Sequence, residues 1–269
     1  EQENEVVEEA ENLTLTLDEV QELLEDLELD LLKSEEMNWE HTQKAEESLQ
    51  KIEDIFQQIE EMSSTMEKIQ EQIEKNNLVN DELGEKFSDL QELLDQIMTP
   101  EMREAIQKMQ EAMQQMDPEK MLEAMENMEF NIEEMEQQLD RFIDMFQMAL
   151  AEQKMDEIQK QLEQMIKEQT DILEDMQKQD SNTEDLAARE KRQEEELINL
   201  EGSMKEAEVM MQNLSSQTAA ALEEMRTGEM MEEAGENLES AQQEFAKGEK
   251  QGGGENAESA NENLQEIQK

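Results

Sequence analysis

A chain of 269 residues with 75 acidic and 22 basic side chains, a formal net charge of −53, lacks the clustered positive charge needed to neutralise nucleic-acid phosphates or to sit on an anionic membrane surface. Aromatic residues make up 3% and charged residues 36%, too sparse an apolar supply for a spherical core, and the good helix formers Glu, Gln, Lys, Leu and Met dominate. No Cys is present, which excludes disulfide and thiol chemistry, and no stretch is long and apolar enough to span a bilayer. High charge with low hydrophobicity is also the mark of disordered chains. Apolar residues recurring in steps of three and four over several segments argue for ordered helices instead.

In chain order, residues 1–12 are acidic and are expected to fray. Thr16-x-x-Glu19 reads as a capping box, and Leu17, Val20, Leu24, Leu27 and Leu31 follow it at helical spacing. Around Lys33-Ser34-Glu35 the helix either bends or continues. The next stripe runs Ala45, Leu49, Ile52, Phe56, Ile59, Met62, Met66, Ile69 and Ile73, and predicts a helix about 60 Å long. Lys75-Asn76-Asn77 ends it, and Asn80 caps a further helix through Leu83, Phe87, Leu90, Leu94 and Ile97. Thr99-Pro100-Glu101 and Asp117-Pro118-Glu119 each place a capping side chain, a proline at the first helical position and an acid at the positive helix end. They predict two short helices, 100–116 and 118–128.

A long central helix, 131–179, is expected to start at the Asn131-x-x-Glu134 capping pair. Its stripe is Ile132, Met135, Leu139, Phe142 and Phe146, then Met155, Ile158, Leu162, Met165, Ile172 and Met176, with Gln169 in the vacant position. Between Phe146 and Met155 the stripe changes register, which excludes a strict heptad there and predicts a wider bundle contact. After a polar turn, Asp180-Ser181-Asn182-Thr183, a second long helix carries Leu197, Leu200, Met204, Ala207, Met211, Leu214, Thr218, Ala221 and Met225 to Gly228. The two should pair as an antiparallel hairpin. Met231, Ala234, Leu238, Ala241 and Phe245 predict one more helix, Gly252-Gly253-Gly254 a flexible break, and 255–269 a weak helix or tail. The expected fold is therefore all-α: an elongated antiparallel helical bundle, or helical hairpins with coiled-coil-like seams. Its expected divisions are 1–130, 131–228 and 229–269.

Candidate chemistry is sparse. His41 is the sole histidine, and Asn38 stands three residues before it where a Glu-x-x-His metal motif needs an acid. It is expected at the surface or a boundary, without a metal. Glu60-Glu61, Glu133-Glu134 and Glu194-Glu195-Glu196 could hold Ca²⁺ or Mg²⁺ loosely, but none has the spacing of a dedicated loop. The glycine triplet precedes Glu255-Asn256, not the Lys-Ser/Thr of a phosphate loop. No nucleophile–base pair can be assembled, so neither an enzyme nor a cofactor site is expected. Arg141 can pair with Asp144 along its own helix. Most of the 23 methionines lie between Met98 and Met176. They either fill an irregular helical core or line a groove for a partner helix, in which case Met102, Met109, Met113 and Met125 are the candidate partner-binding residues.

Asn38-Trp39-Glu40, Asp117-Pro118-Glu119-Lys120 with Leu122-Glu123-Ala124-Met125, Leu139-Asp140-Arg141-Phe142 and Glu152-Gln153-Lys154 together resemble a family of large bacterial coiled-coil proteins of unknown function, found notably in Bacteroidota. The similarity spans roughly residues 17–180. It implies a Glu/Gln/Leu/Met-rich helical region following membrane segments, hence a cell-envelope protein whose anchor precedes Glu1, and it supplies no catalytic residue. The expected role is a non-enzymatic structural or protein-interaction (scaffold) segment. The alternative is an acidic, chaperone-like binder of basic or apolar clients that uses its charge and Met faces. The expected partners are other helical segments, of this chain or another protein, with no nucleic acid and with a membrane only through that upstream anchor. A salty medium or divalent cations would relieve the self-repulsion of so acidic a chain.

Overall fold

The computed structural model describes residues 2–34, 36–75, 81–97, 99–178 and 180–269, with side chains except at 2–5, 72–75, 81, 82 and 213. Among them every regular element is an α-helix, and the helices pack as bundles in two compact units, Glu1–Leu150 and Ala151–Lys269. The division falls inside the register change between Phe146 and Met155, not at 130 or 228. The apolar stripe that serves the first unit ends at Leu150, and the one that serves the second resumes at Ile158.

The first unit comprises α1 (Gln2–Lys33), α2 (Trp39–Lys75), α3 (Asp81–Ile97), α4 (Pro100–Gln115) and the part of α5 (Pro118–Gln177) up to Leu150. Its α1 and α2 run antiparallel, with Lys44 on Asp30 and Lys51 on Glu19, each at 2.6 Å. Gln91 of α3 donates to Ser63 of α2. Phe87 of α3 meets Phe146 of α5 edge-on, with ring centroids 6.3 Å apart. On the α1 side of α5, burial and the neighbouring carboxylates Glu28 and Glu25 push Glu129 up, as burial and Asp18 do for Glu136. The cross-helix ion pairs are solvated, so water screens them and they add little. Stability comes from the seams: Leu17, Val20, Leu24, Leu27 and Leu31 of α1 and Ile52, Ile59, Met62 and Met66 of α2 are all buried, as their spacing predicts.

Several expected boundaries move. The helix α1 starts by Gln2, because the stripe extends backwards through Leu13, Ala10 and Val6, all buried. Thr16 is inside it and turns its hydroxyl back to the Asn12 carbonyl at 2.9 Å, so it caps nothing. At the other end α1 stops at Lys33, which resolves the bend at residue 34. Asn38 then caps α2: its Oδ1 accepts from the His41 amide at 3.1 Å, and His41 Nδ1 accepts from the Asn38 amide at 3.3 Å. The pair is a reciprocal capping box with histidine in the place of glutamate, and it leaves His41 buried rather than at the surface. The expected stop at Asn76-Asn77, the Asn80 cap, residue Glu35, the Ile73 side chain and Met98 lie outside the described residues.

Both proline starts form as expected. The Thr99 hydroxyl accepts from the Met102 amide at 3.1 Å, and Asp117 Oδ1 accepts from the Glu119 and Lys120 amides at 3.1 and 3.2 Å. The second helix, however, does not stop at 128. It is the start of α5, which continues to Gln177. Asn131 lies within it and donates to the Asn127 carbonyl. A capping pair permits a helix start without forcing one, and Met121, Met125, Met128, Ile132 and Met135 keep one buried stripe running past residue 130.

The second unit comprises α5 from Ala151, α6 (Thr183–Leu214), α7 (Ser216–Thr227), α8 (Glu229–Ala246) and α9 (Lys250–Ile267). The tail of α5 and α6 form the expected antiparallel hairpin: Lys154 pairs with Glu206 at 2.7 Å and, near the turn, Arg189 with Asp175 at 2.7 Å. The second long helix breaks at Ser215, which is extended and whose hydroxyl accepts from the Thr218 amide. Beyond the break α7 folds back so that Arg226 reaches Glu208 at 2.9 Å, and it buries Ala219 and Leu222 in place of the expected Thr218, Ala221 and Met225. The helix α8 buries Met231, Ala234, Leu238, Ala241 and Phe245, as its spacing predicts.

The glycine triplet is not a flexible break. It lies in the first turns of α9, where a Cβ on Gly253 would come within 2.5 Å of the Phe245 ring and one on Gly254 within 2.5 Å of Met176 Cε. Lacking Cβ atoms, these residues let α9 approach α8 and α5 closely, and Ala257, Ala260, Ala241 and Ala234 keep α8 and α9 close further along. Gly253→Ala gains about 1 kcal/mol of helix propensity but meets a fully buried ring, and overpacking costs about 1–3 kcal/mol. It should lower the urea midpoint. Gly202, exposed on α6 with nothing near its Cβ position, gains the propensity alone, so Gly202→Ala should raise the midpoint by about 0.5–1 kcal/mol of stability.

Candidate functional site

The seam of α5 reads Ile158, Leu162, Met165, Gln169, Ile172, and that of α6 reads Leu186, Glu190, Gln193, Leu197, Leu200, Met204. One seam position of α5 and two successive seam positions of α6 are thus polar where the pattern calls for apolar residues. Because the two helices run antiparallel from a turn near residue 180, Gln169 comes to face Glu190. Its Nε2 donates to Glu190 Oε1 at 2.9 Å and Oε2 at 3.1 Å, and to the Ala257 carbonyl of α9 at 3.3 Å. Gln169 and Glu190 have no exposed surface and Gln193 is also buried. This polar layer separates two apolar clusters, one around Leu162, Leu197 and Leu264 and the other around Ile172, Leu186 and Phe245.

Burial pushes the Glu190 carboxyl up to about 7, against the Gln169 hydrogen bond and the Arg189 guanidinium, which lower it; Glu168 adds to the rise. Arg189 itself is clamped on the outside of the layer, donating to Glu168 at 2.8 Å and Asp175 at 2.7 Å. Hydrogen bonds from Lys178 and then Arg189 hold Asp175 below the usual carboxylate range. The amide oxygen of Gln169 has no hydrogen-bond partner among the described residues. A protonated Glu190 carries the donor that this oxygen lacks. Beside the layer, between α5 and α6, lies an open groove of about 320 Å³ lined by residues that include Gln161, Met165, Arg192 and Gln193. Glu190 is sealed from it, so the layer is suited to fixing which residues of α5, α6 and α9 meet, a known use of buried polar groups, more than to handling a substrate.

The residues singled out from the sequence fall elsewhere. Met102, Met109 and Met125 are fully buried in the core of the first unit, and Met113 packs half-buried against it. They are core residues, not an open groove: the stripes of α4 and α5 point into the bundle that the antiparallel helices close around them. Arg141 and Asp144 stand exposed on α5. Glu60-Glu61 and Glu133-Glu134 are solvated, Glu194-Glu195-Glu196 is exposed or half-exposed, and no group of three or more His, Cys, Asp or Glu among the described residues is placed to hold a metal.

Several large apolar side chains reach solvent at positions that the sequence did not mark as candidate binding residues. Trp39 is 75% exposed, Leu32 64% and Met116 45%. The turn between α1 and α2 and the turn between α4 and α5 lie at one end of the first unit, where the Thr42 hydroxyl approaches the Met116 sulfur at 3.6 Å. Leu29 and Leu32 close α1 at that end, Trp39 opens α2 and Met116 follows α4. The signal was available: Leu29 and Leu32 are off the stripe Val20, Leu24, Leu27, Leu31, and Trp39 is off the stripe through Ala45 and Leu49.

Comparison with known proteins finds no matching family model, no matching curated protein and no matching solved structure. Among the described residues no helix is long and apolar enough to cross a membrane.

Proposed function

We propose that the chain is a non-enzymatic protein-interaction module, a helical scaffold segment of a larger bacterial envelope protein. The observation that carries this reading is the exposed Trp39, the only tryptophan, at an end of the first unit where Leu29, Leu32 and Met116 are also in solvent. Tryptophan is enriched at the centres of protein interfaces and rare as an idle surface residue. The single histidine is spent on a helix cap and Glu190, whose carboxyl burial pushes up to about 7, is sealed in a core layer, which supports a binding role over a catalytic one. Envelope location rests on the resemblance in the Asn38-Trp39-Glu40 and Leu139-Asp140-Arg141-Phe142 phrases, and membrane fractionation of the full-length gene product tests it.

Sedimentation velocity in low and high salt tests the interaction role, with the chain alone, with an added helical segment and with a basic protein. A scaffold that binds through apolar contacts associates with itself or with the helical segment, and the association survives high salt. A second reading, an acidic binder of basic or apolar clients, is favoured by Glu36 and Glu40 beside Trp39 and by the net charge of −53. It would bind the basic protein in low salt and release it as salt rises. No association with any of these in either salt would overturn both readings.

A further inference from the structure

We infer that the end of the first unit carrying Trp39 and Met116 docks an apolar segment of another protein whose apolar residues are flanked by Lys or Arg. This rests on the interaction reading and names its surface and partner chemistry. Trp39 and Thr42 lie one turn apart on α2, and the Thr42 hydroxyl touches the Met116 sulfur, so Trp39 and Met116 belong to neighbouring positions on adjoining helices. Met116 holds a left-handed backbone, φ 52° and ψ 37°, at the end of α4, a place that favours glycine. Keeping a large, exposed, adaptable side chain on a strained backbone is a local disadvantage that a contact with a partner would offset.

Charge selects the occupant. Glu36 and Glu40 flank Trp39 and are exposed, and Asp117 and Glu119 follow Met116. Of the nearby cations, Lys44 pairs with Asp30 and Lys120 with Asp117 and Gln115, and Lys33, exposed at the end of α1, stands against this set of carboxylates. A second copy of this chain would bring the same carboxylates, and another net charge of −53, against this rim. A partner with basic residues around its apolar ones meets the opposite sign.

The test uses the full chain and a Leu/Lys amphipathic helical peptide as the probe, at about 0.15 M salt. With no Tyr and one Trp, the emission of the protein reports Trp39 directly. The expected result is a saturable blue shift of that emission. Met116→Gly suits the left-handed backbone and should keep its melting temperature while weakening the peptide at least about tenfold. Trp39→Ala, read by anisotropy of labelled peptide, should do the same, and Phe130→Ser, exposed elsewhere on the unit, should leave affinity within about twofold. A Ser/Lys peptide of equal charge should leave the emission unshifted. Equal binding of the Ser/Lys peptide, equal loss in Phe130→Ser, or a blue shift of the protein alone with concentration that Trp39→Ala abolishes would each overturn the inference. Leu/Lys peptide binding that leaves Trp39 emission unmoved overturns the docking surface but keeps the interaction role. Absence of any association in the sedimentation experiment removes the interaction role itself.

Discussion

Glu190→Gln is expected to stabilise the protein by about 3 kcal/mol at pH 8 and to leave it unchanged at pH 4. The carboxyl sits near 7 in the folded protein against 4.5 when free. Below pH 4.5 it is protonated in both states and burial carries no penalty. Between 4.5 and 7 the folded protein keeps a proton that the unfolded chain has released, so stability falls as pH rises; above 7 the buried charge is present in full. The groups set against it are Gln169 and Glu168 from α5 and Arg189 on its own helix. Glutamine retains a hydrogen-bonding partner for Gln169 without the charge. The measurement is urea unfolding from pH 4 to 8 at fixed ionic strength. Other carboxyls that folding shifts, Glu129 and Glu136 among them, contribute their own pH dependence, so the informative quantity is the difference between wild type and variant. That difference should be flat below 4.5 and open through 7. Parallel curves would show that Glu190 is hydrated and charged in the fold.

Phe146→Ala should lower stability by about 3–5 kcal/mol, whereas Phe130→Ala on the same helix should change it by less than about 0.5 kcal/mol. Phe146 has no exposed surface; it stacks on Phe142 with ring centroids 5.7 Å apart and meets Phe87 edge-on. Its removal leaves a cavity where α3 crosses α5, and each aromatic pair loses about 0.5–1.5 kcal/mol beyond the area lost. Phe130 is 67% exposed and leaves no cavity. Guanidinium midpoints of the two variants check the contrast, and comparable losses would mean that the α5 stripe does not face the core as described.

How far the sequence could be read depended on whether a feature is local. The seams of α1, α2 and α8 were legible because burial of one helix face follows from spacing alone. Thr99-Pro100 and Asp117-Pro118 were legible because proline removes a donor and fixes a backbone angle wherever it stands. Thr16-x-x-Glu19 and Asn131-x-x-Glu134 misled for the complementary reason: such residues stop nothing, and burial of the residues on either side carried both helices through them. Ser215 broke a stripe that its neighbours seemed to continue. Glu190 and Gln193 were hidden among the many acids and amides of α6, although stepping back from Leu197 by four and then three residues lands on both.

By itself the sequence determined that the chain is helical, which face of each helix seeks burial, where proline restarts a helix and how acidic the outside must be, since each of these is set by a few adjacent residues. Only the tertiary structure decided which seam meets which. It decided that α9 closes so tightly on Phe245 and Met176 that Gly253 and Gly254 become packing residues. It put Gln169 against Glu190 from across a turn, and it enclosed Met102, Met109 and Met125 while leaving Trp39 and Met116 outside. These outcomes depend on contacts between helices far apart in the chain, and a side chain's burial and ionisation are properties of the helices that surround it.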